Sequence, residues 1–262
     1  MGDAGTKLVM LMPAIIFLLV ALVEIIRPRR ALRFGRLRRW TTGLILFAGN
    51  RATAWLLAWI IAIPAAAFWA EKSAIGLFNQ IALPIWAEIL GTFLLLDFAM
   101  WLQHLLTHKL PLLWRLHKVH HADPDIDIST AIRFHPAEIA FSIFWKSGWV
   151  ILLGVAAPIA LAFEAWLAAN AAFNHGNIEL PRRLDRIVRR FLVTPDMHLV
   201  HHSTALPEQQ SNYGFALSIW DRLFKTYLAQ SAKGRDQQPI GLTEMQDERP
   251  TRPGFSLKLP LT

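Results

Sequence analysis

Residues 83–121 read LPIWAEILGTFLLLDFAMWLQHLLTHKLPLLWRLHKVHH. Leu83 to Trp101 is apolar over a membrane-spanning length, and the helical pattern runs on to His108. His104 and His108 are four apart, so they share one helix face. Pro111 ends that element. Leu112 to Asp123 then reads as a short helix with His117, His120 and His121 at i, i+3 and i+4. A helix leaving the bilayer thus delivers five imidazoles to one place.

The triplet spacing returns at His198, His201 and His202. Thr194-Pro195-Asp196 just before it reads as a helix start, with Thr194 as cap and Pro195 in the first position. His135 and His175 stand alone between the clusters, and all ten histidines of the 262 residues lie between His104 and His202. At that abundance a His-x-x-His-His pattern arises by chance roughly 0.01 times, and two of them roughly 0.0001 times.

Outward from the clusters the chain is organised by spans. Leu8 to Ile26 is apolar apart from Glu24 and lacks a small-residue cleavage site, so it reads as a retained anchor. Met1-Gly2 with Thr6 also fits the loose myristoylation pattern, which adds little beside that anchor. Seven arginines follow between Arg27 and Arg39, and the positive-inside rule places them in the cytosol with the N-terminus outside. Thr41 to Ala70 is a second helical stretch, interrupted by Asn50 and Arg51, and Leu83 to Trp101 returns inward. Ala137 to Ala172 reads as a helical hairpin bent near Pro158, which brings His175 back to the side His135 left. All ten histidines then sit at one membrane face. Within the hairpin, Lys146 and Glu164 lie roughly 12 and 15 Å in at 1.5 Å per residue. That depth suits an ion pair between them, or a snorkelling lysine with a separately housed glutamate. The expectation is an all-α integral membrane protein with about four transmembrane helices and a cytosolic helical cap carrying the histidine clusters. Residues 1–82 are its N-terminal helices, 83–228 the histidine domain and 229–262 an irregular soluble tail.

Hydrophobic residues are 54% of the chain and charged residues 18%, so a substantial part stands in water. Cysteine is absent, which excludes disulfides, thiolate zinc sites, iron–sulfur clusters and cysteine nucleophiles. The net charge of +8 is concentrated at residues 27–39 and in five arginines between Arg182 and Arg190. Membrane topology explains such clusters, and a docking surface for an acidic partner is the sharper reading.

One zinc ion needs three or four ligands, which would leave most of ten imidazoles idle. Two ions with five or six positions each use eight to ten. Imidazole suits iron, zinc and copper alike, so the number argues for two metals and not for which. His-Glu-x-x-His, Glu-x-x-His and Gly-x-Ser-x-Gly are all absent. A metal transporter would hold its ligands near the bilayer midplane, not at helix ends. Each ligand needs its second nitrogen held by an outer partner, for which Asp97, Asp123, Glu138, Asp196 and Asp221 are candidates. The 11 Trp and 16 Phe fit a lipid cavity, or more plainly packing and an interfacial belt.

Several quoted runs now add up to a resemblance. They are Asp97-x6-His104-x3-His108, Pro111-Leu112-Leu113-Trp114-Arg115-x-His117-Lys118-x-His120-His121, Ala131-x-Arg133-Phe134-His135-Pro136-x-Glu138, His175-x-Asn177, Thr194-Pro195-Asp196-Met197-His198-x-x-His201-His202-Ser203, Asn212-Tyr213-Gly214 and Trp220-Asp221-Arg222-Leu223-Phe224. Over residues 85 to 230 the chain resembles the fatty acid hydroxylase/sterol desaturase superfamily of bacterial type. The resemblance implies a non-haem di-iron enzyme of the bacterial inner membrane that uses two Fe ions, O2 and two electrons to attack a C–H bond of a lipid. It carries His104, His108, His117, His120, His121, His198, His201 and His202 over as metal ligands, with His175 and His135 beside them. For His135 the alternative is a structural imidazole at a helix start.

Leu105 stands where the family often has Arg, Met100-Trp101 where it has Tyr, and Lys225 where Gly is common. No haem-binding or flavin motif is found, so electrons are expected from a separate donor that the basic surface would steer. Nucleic acid is not an expected partner. Two other readings stay open: a zinc-dependent membrane lipid hydrolase, and a non-enzymatic metal-binding protein. The last would leave its histidines facing solvent, with no cavity to the lipid.

Overall fold

The computed structural model describes residues 3–262, so the Met1-Gly2 start of the myristoylation pattern lies outside it. Among these residues the chain is helical, with only two isolated bridges, Leu192–Leu217 and Ser203–Ile240. The helices are α1 (Asp3–Ile26), α2 (Arg36–Leu57), α3 (Ile63–Lys72), α4 (Leu77–Gln80), α5 (Ile85–Lys109), α6 (Pro111–His121) and α7 (Pro136–Leu153). They continue as α8 (Ala157–His175), α9 (Arg182–Val188), α10 (Pro195–His201), α11 (Leu206–Gln209), α12 (Ile219–Leu223) and α13 (Pro253–Lys258). It is an all-α integral membrane protein.

Proline and glycine set the corners. Leu110, forced extended by the proline after it, ends α5 at φ −96° and ψ 120°, and Pro111 opens α6. That single corner swings His117–His121 beneath His104 and His108. At the opposite end of the bundle α7 stops on Gly154, whose φ of +69° is left-handed. Gly76 packs on it so closely, at φ +98°, that a Cβ there would stand 2.2 Å from the Gly154 nitrogen.

Three helices are by themselves long and apolar enough to cross a membrane: Lys7–Ile26, Ile85–Lys109 and Pro136–Leu153. About four crossings are expected from the sequence; beside the three lie two further legs of the bundle that are not by themselves long and apolar enough. The stretch 41–70 is split into α2 and α3, because Ala62 is extended and Pro64 restarts the helix. The two pieces still run as one bent leg beside α7, with Gly49 facing Pro136 at one end and Gly76 against Gly154 at the other. The return leg of the hairpin, α8, is sheathed by α1, α3 and α5. It can therefore carry polar residues such as Asn170, Asn174 and His175, all buried. Lys146 of α7 and Glu164 of α8 meet at 2.6 Å, the ion pair across the hairpin.

The histidine-bearing end is closed by a buried ionic network. Arg39 of α2 has no exposed surface and pairs with both Asp123 and Asp127. Arg133 reaches Asp123 at 3.3 Å, and also holds the Pro250 carbonyl and Ser256 Oγ. Burial alone would raise the Asp123 carboxyl, but Arg39 and Arg133 hold it below the usual carboxylate range. The segment 229–262, expected as an irregular soluble tail, ends in α13 flanked by two short 3-10 turns and lies against the cap. Leu242 and Leu259 join Leu46, Val119 and Ala122 in one apolar cluster.

Because Arg39 is paired and fully buried, Arg39→Met removes the ion-pair partner of Asp127 and leaves Asp123 with Arg133 alone, and is expected to cost about 3–5 kcal/mol. Thermal unfolding in detergent reads this, with Arg38→Met as control: Arg38 is 67% exposed, and its loss should barely move the midpoint.

Candidate metal centre

Four helices bring the imidazoles together. α5 supplies His104 and His108, and α6 supplies His117, His120 and His121. His175 closes α8, and α10 carries His198 and His201 with His202 as its C-cap. The nitrogens sort into two buried groups, His104, His108, His117, His121 and His201 in one, and His120, His175, His198 and His202 in the other. Within each group one ring nitrogen per residue lies within 4.8 Å of all the others.

Helix geometry explains the sorting. At about 100° per residue, i and i+4 are about 40° apart, whereas i+3 and i+4 are about 100° apart. So His117 and His121 aim at the first group while His120 leans to the second. His198 and His202 serve the second group while His201 crosses to the first. α6 and α10 therefore bridge both groups, whereas α5 serves only the first and α8 only the second. The groups touch: the rings of His121 and His202 stack 4.4 Å apart.

Four of the nine rings have an outer nitrogen held by a protein acceptor. His104 Nδ1 donates to the Tyr213 carbonyl at 2.9 Å, His201 Nδ1 to the Ser211 carbonyl at 2.7 Å and His175 Nδ1 to the Ala171 carbonyl at 2.7 Å. His117 Nδ1 meets Glu138 Oε1 at 2.6 Å. A carbonyl accepts only, so for the first three the proton sits on Nδ1 and Nε2 carries a lone pair. The Nε2 atoms of His104, His117 and His201, and both nitrogens of His108 and His121, are buried without a partner. In the second group His175 Nε2 lies 3.1 Å from His120 Nε2 and 2.8 Å from His198 Nε2, and His202 Nε2 lies 3.1 Å from His198 Nε2.

Lone pairs facing one another in a dry interior are costly unless a cation lies between them. Nitrogens sharing an ion at roughly 2.1 Å must lie within about 4 Å of each other, which the second-group contacts satisfy, and the first group's nitrogens lie within 4.8 Å of one another. Burial, deepened by neighbouring rings, also holds His120, His121, His198, His201 and His202 well below the ordinary histidine range. They are neutral at physiological pH, the form in which imidazole ligates. The residues present fit two metal ions.

His135 lies outside both groups. Its Nδ1 accepts from Ala137 N at the start of α7, and Nε2 faces the Leu257 carbonyl at 3.3 Å. Of the five candidate carboxylates only Glu138 touches a histidine. Asp123 serves the arginine network, and Asp196 pairs with Arg29, Arg189 and Arg235. Asp97 accepts from Trp220 Nε1 at 2.9 Å and from Leu217 N.

Asp221 acts at one remove. It accepts from Tyr213 N at 2.8 Å, Gly214 N at 2.7 Å, Trp101 Nε1 at 3.0 Å and Thr226 Oγ1 at 2.7 Å. That fixes the loop whose carbonyls hold His104 and His201. Asn212 takes left-handed backbone there, φ 54°, and its amide anchors to the Met197 and Leu228 carbonyls. A Cβ on Gly214 would stand 2.8 Å from the Asp221 carboxylate. These carbonyl partners were not readable from side-chain types. The Asn-Tyr-Gly run was a signal for the Ser211 and Tyr213 carbonyls, and the Arg-Phe-His run one for Phe134, whose ring stacks on His120 at 4.4 Å.

The sequence pattern of the fatty acid hydroxylase family matches residues 89–226, more than half of the chain and all nine converging histidines. The chain belongs to the fatty acid hydroxylase family. It is 32% identical to an ornithine lipid hydroxylase of Rhizobium tropici over 149 residues, 55% of this chain and 43% of that protein. It is 29% identical to the human alkylglycerol monooxygenase over 148 residues, 55% of this chain and 31% of that one. A cholesterol 25-hydroxylase-like protein of Danio rerio is 29% identical over 165 residues, 61% of this chain and 62% of its own length. The chain thus spans less than two thirds of each of these relatives. No solved structure matches it.

Two departures from the family pattern now have physical content. Trp101 gives its indole N–H to Asp221 and stacks 4.5 Å from Phe224, so it supports the same loop. Lys225, where glycine is common, sits in left-handed backbone at φ 60°. Lys225→Gly is therefore expected to stabilise the fold by up to about 1 kcal/mol, read as a rise in unfolding midpoint with metal content unchanged.

Proposed function

We propose that the two histidine groups hold two iron ions and that the protein is a membrane oxygenase acting on a lipid C–H bond. The observation that carries this reading is the convergence of buried ring nitrogens, unpartnered in the group of five and facing only one another in the group of four. Bound there, the ions would supply O2 activation. Their binding is the task of His104, His108, His117, His121 and His201 on one side, and His120, His175, His198 and His202 on the other. Glu138 and the carbonyls of Ala171, Ser211 and Tyr213 orient the rings, and closure of the cap keeps bulk water out.

One oxygen atom enters the substrate and the other leaves as water, which consumes two electrons and two protons. The chain is proposed to take the electrons from a separate donor protein. Family membership and relatives named hydroxylases and monooxygenases support the lipid class of substrate. The arginines flanking α1 support a cytosolic cap with the N-terminus outside, and a bacterial relative supports the inner membrane. The burial of the nine histidines supports an oxygenase over a metal store that faces solvent.

Protein purified anaerobically should contain two Fe per chain, and cells carrying the gene should gain an oxygenated lipid that the His120→Ala strain lacks. Stoichiometric zinc with O2-independent activity would defeat this reading in favour of a hydrolase. A finer contrast separates ligand from scaffold. Glu138→Ala frees His117 and should weaken metal binding roughly 10–100-fold. His135→Asn keeps a helix cap and should retain both ions by elemental analysis.

A further inference from the structure

Away from the histidine groups, a cavity of about 400 Å3 opens on the outer side of α10. Asp196 and Val200, which line it, flank His198 along that helix. One helix thickness, on the order of 10 Å, therefore separates the cavity from the second histidine group. Arg182, Arg186, Arg189 and Arg235 all face it, against two carboxylates, Asp185 and Asp196. Both carboxylates are paired, Asp185 through Oδ2 with Arg189 and Asp196 with Arg29, Arg189 and Arg235, and Asp185 Oδ1 is the one buried carboxylate oxygen of the lining left without a partner. Arg182 and Arg186 have no ion-pair partner among the described residues. At the back of the cavity Gln238 is 1% exposed, and neither its Oε1 nor its Nε2 has a partner. Arg189 Nε is likewise buried and unpartnered.

Such a lining is arranged for an oxyanion that the protein does not itself supply. Its position says where the anion comes from. Leu184, Ile187 and Phe191, on and just after α9, are exposed beside these arginines, the pattern of a helix lying in the membrane interface. A helix lying so would hold the cavity at headgroup depth.

We propose that this cavity binds the phosphate headgroup of an anionic phospholipid, and that this lipid is the substrate. The substrate role rests on the oxygenase reading above; the binding site does not. Arg182 and Arg186 would neutralise the phosphate, with Arg189 Nε and the Gln238 amide completing its hydrogen bonds.

The test uses the full chain in detergent, titrated with phosphatidylglycerol or phosphatidylcholine and followed by native mass spectrometry. Phosphatidylglycerol is expected to bind roughly tenfold tighter at one site. R182Q/R186Q and, separately, Gln238→Leu should bring the two lipids close to parity, whereas R38Q/R115Q, a pair outside the cavity, should leave the preference intact. Equal binding of both lipids overturns the proposal. So does an equal loss in the control pair, which would signal diffuse surface charge. Saturation by inorganic phosphate that lipid cannot displace marks a soluble-anion site and also overturns it, as does unchanged lipid binding with slowed reduction by an acidic electron donor. Selective binding with no oxygenated phosphatidylglycerol, in cells that still gain an oxygenated lipid, supports the site and overturns the substrate role; cells that gain no oxygenated lipid at all defeat the oxygenase reading. Oxygenation of both lipids alike, in wild type and variants, defeats the headgroup site alone.

Discussion

Nine imidazoles meet in a dry interior with their inner nitrogens turned toward one another. Unfilled, that arrangement is among the more costly a fold can hold, since buried polar atoms without partners lose their hydration and regain nothing. The rest of the structure is arranged to enforce it. Four helices converge on it, three carbonyls and one carboxylate grip four of the outer nitrogens, and a cap excludes water. Even carboxylates that never touch a histidine work toward this end. Asp221 fixes a loop, the loop's carbonyls fix His104 and His201, and the rings keep their aim.

The cap is itself an electrostatic construction. Arg39 and Arg133 share Asp123 without solvent, and the segment from Pro250 onward is tied in through Arg133. Buried pairs of this kind are weak sources of net stability but strong sources of specificity, because every other arrangement strands a charge. Here they force the chain after His121 back onto α2 and seat the final segment over the histidines' outer wall. The ion pair of Lys146 with Glu164 does similar work inside the bundle, joining α7 to α8.

Much of this was legible in the residues. Three of the apolar spans, the shared faces of the clustered histidines, the lysine–glutamate pair as one of two readings and the helix start at Thr194 all follow from periodicity and spacing, which are local properties of a helix. The split of 41–70 was harder to see because Pro64 looks harmless at a helix start and breaks the pattern only by what precedes it. The final segment reads as a polar tail because its composition is polar. Its few apolar residues, Leu242 and Leu259, become meaningful only once Leu46 and Val119 offer them a surface.

What the sequence determined by itself was the inventory and the local geometry. A fixed rise and turn per residue decide which histidines can share a face, and apolar length decides which segments enter a membrane. What only the tertiary structure decided was allegiance. His120 parts from its neighbours because two directions about 100° apart lead to different partners, and those partners come from α8 and α10. Glu138 rather than Asp97 touches a histidine, and His135 caps a helix, because side-chain reach across elements depends on packing, which no spacing along one chain encodes.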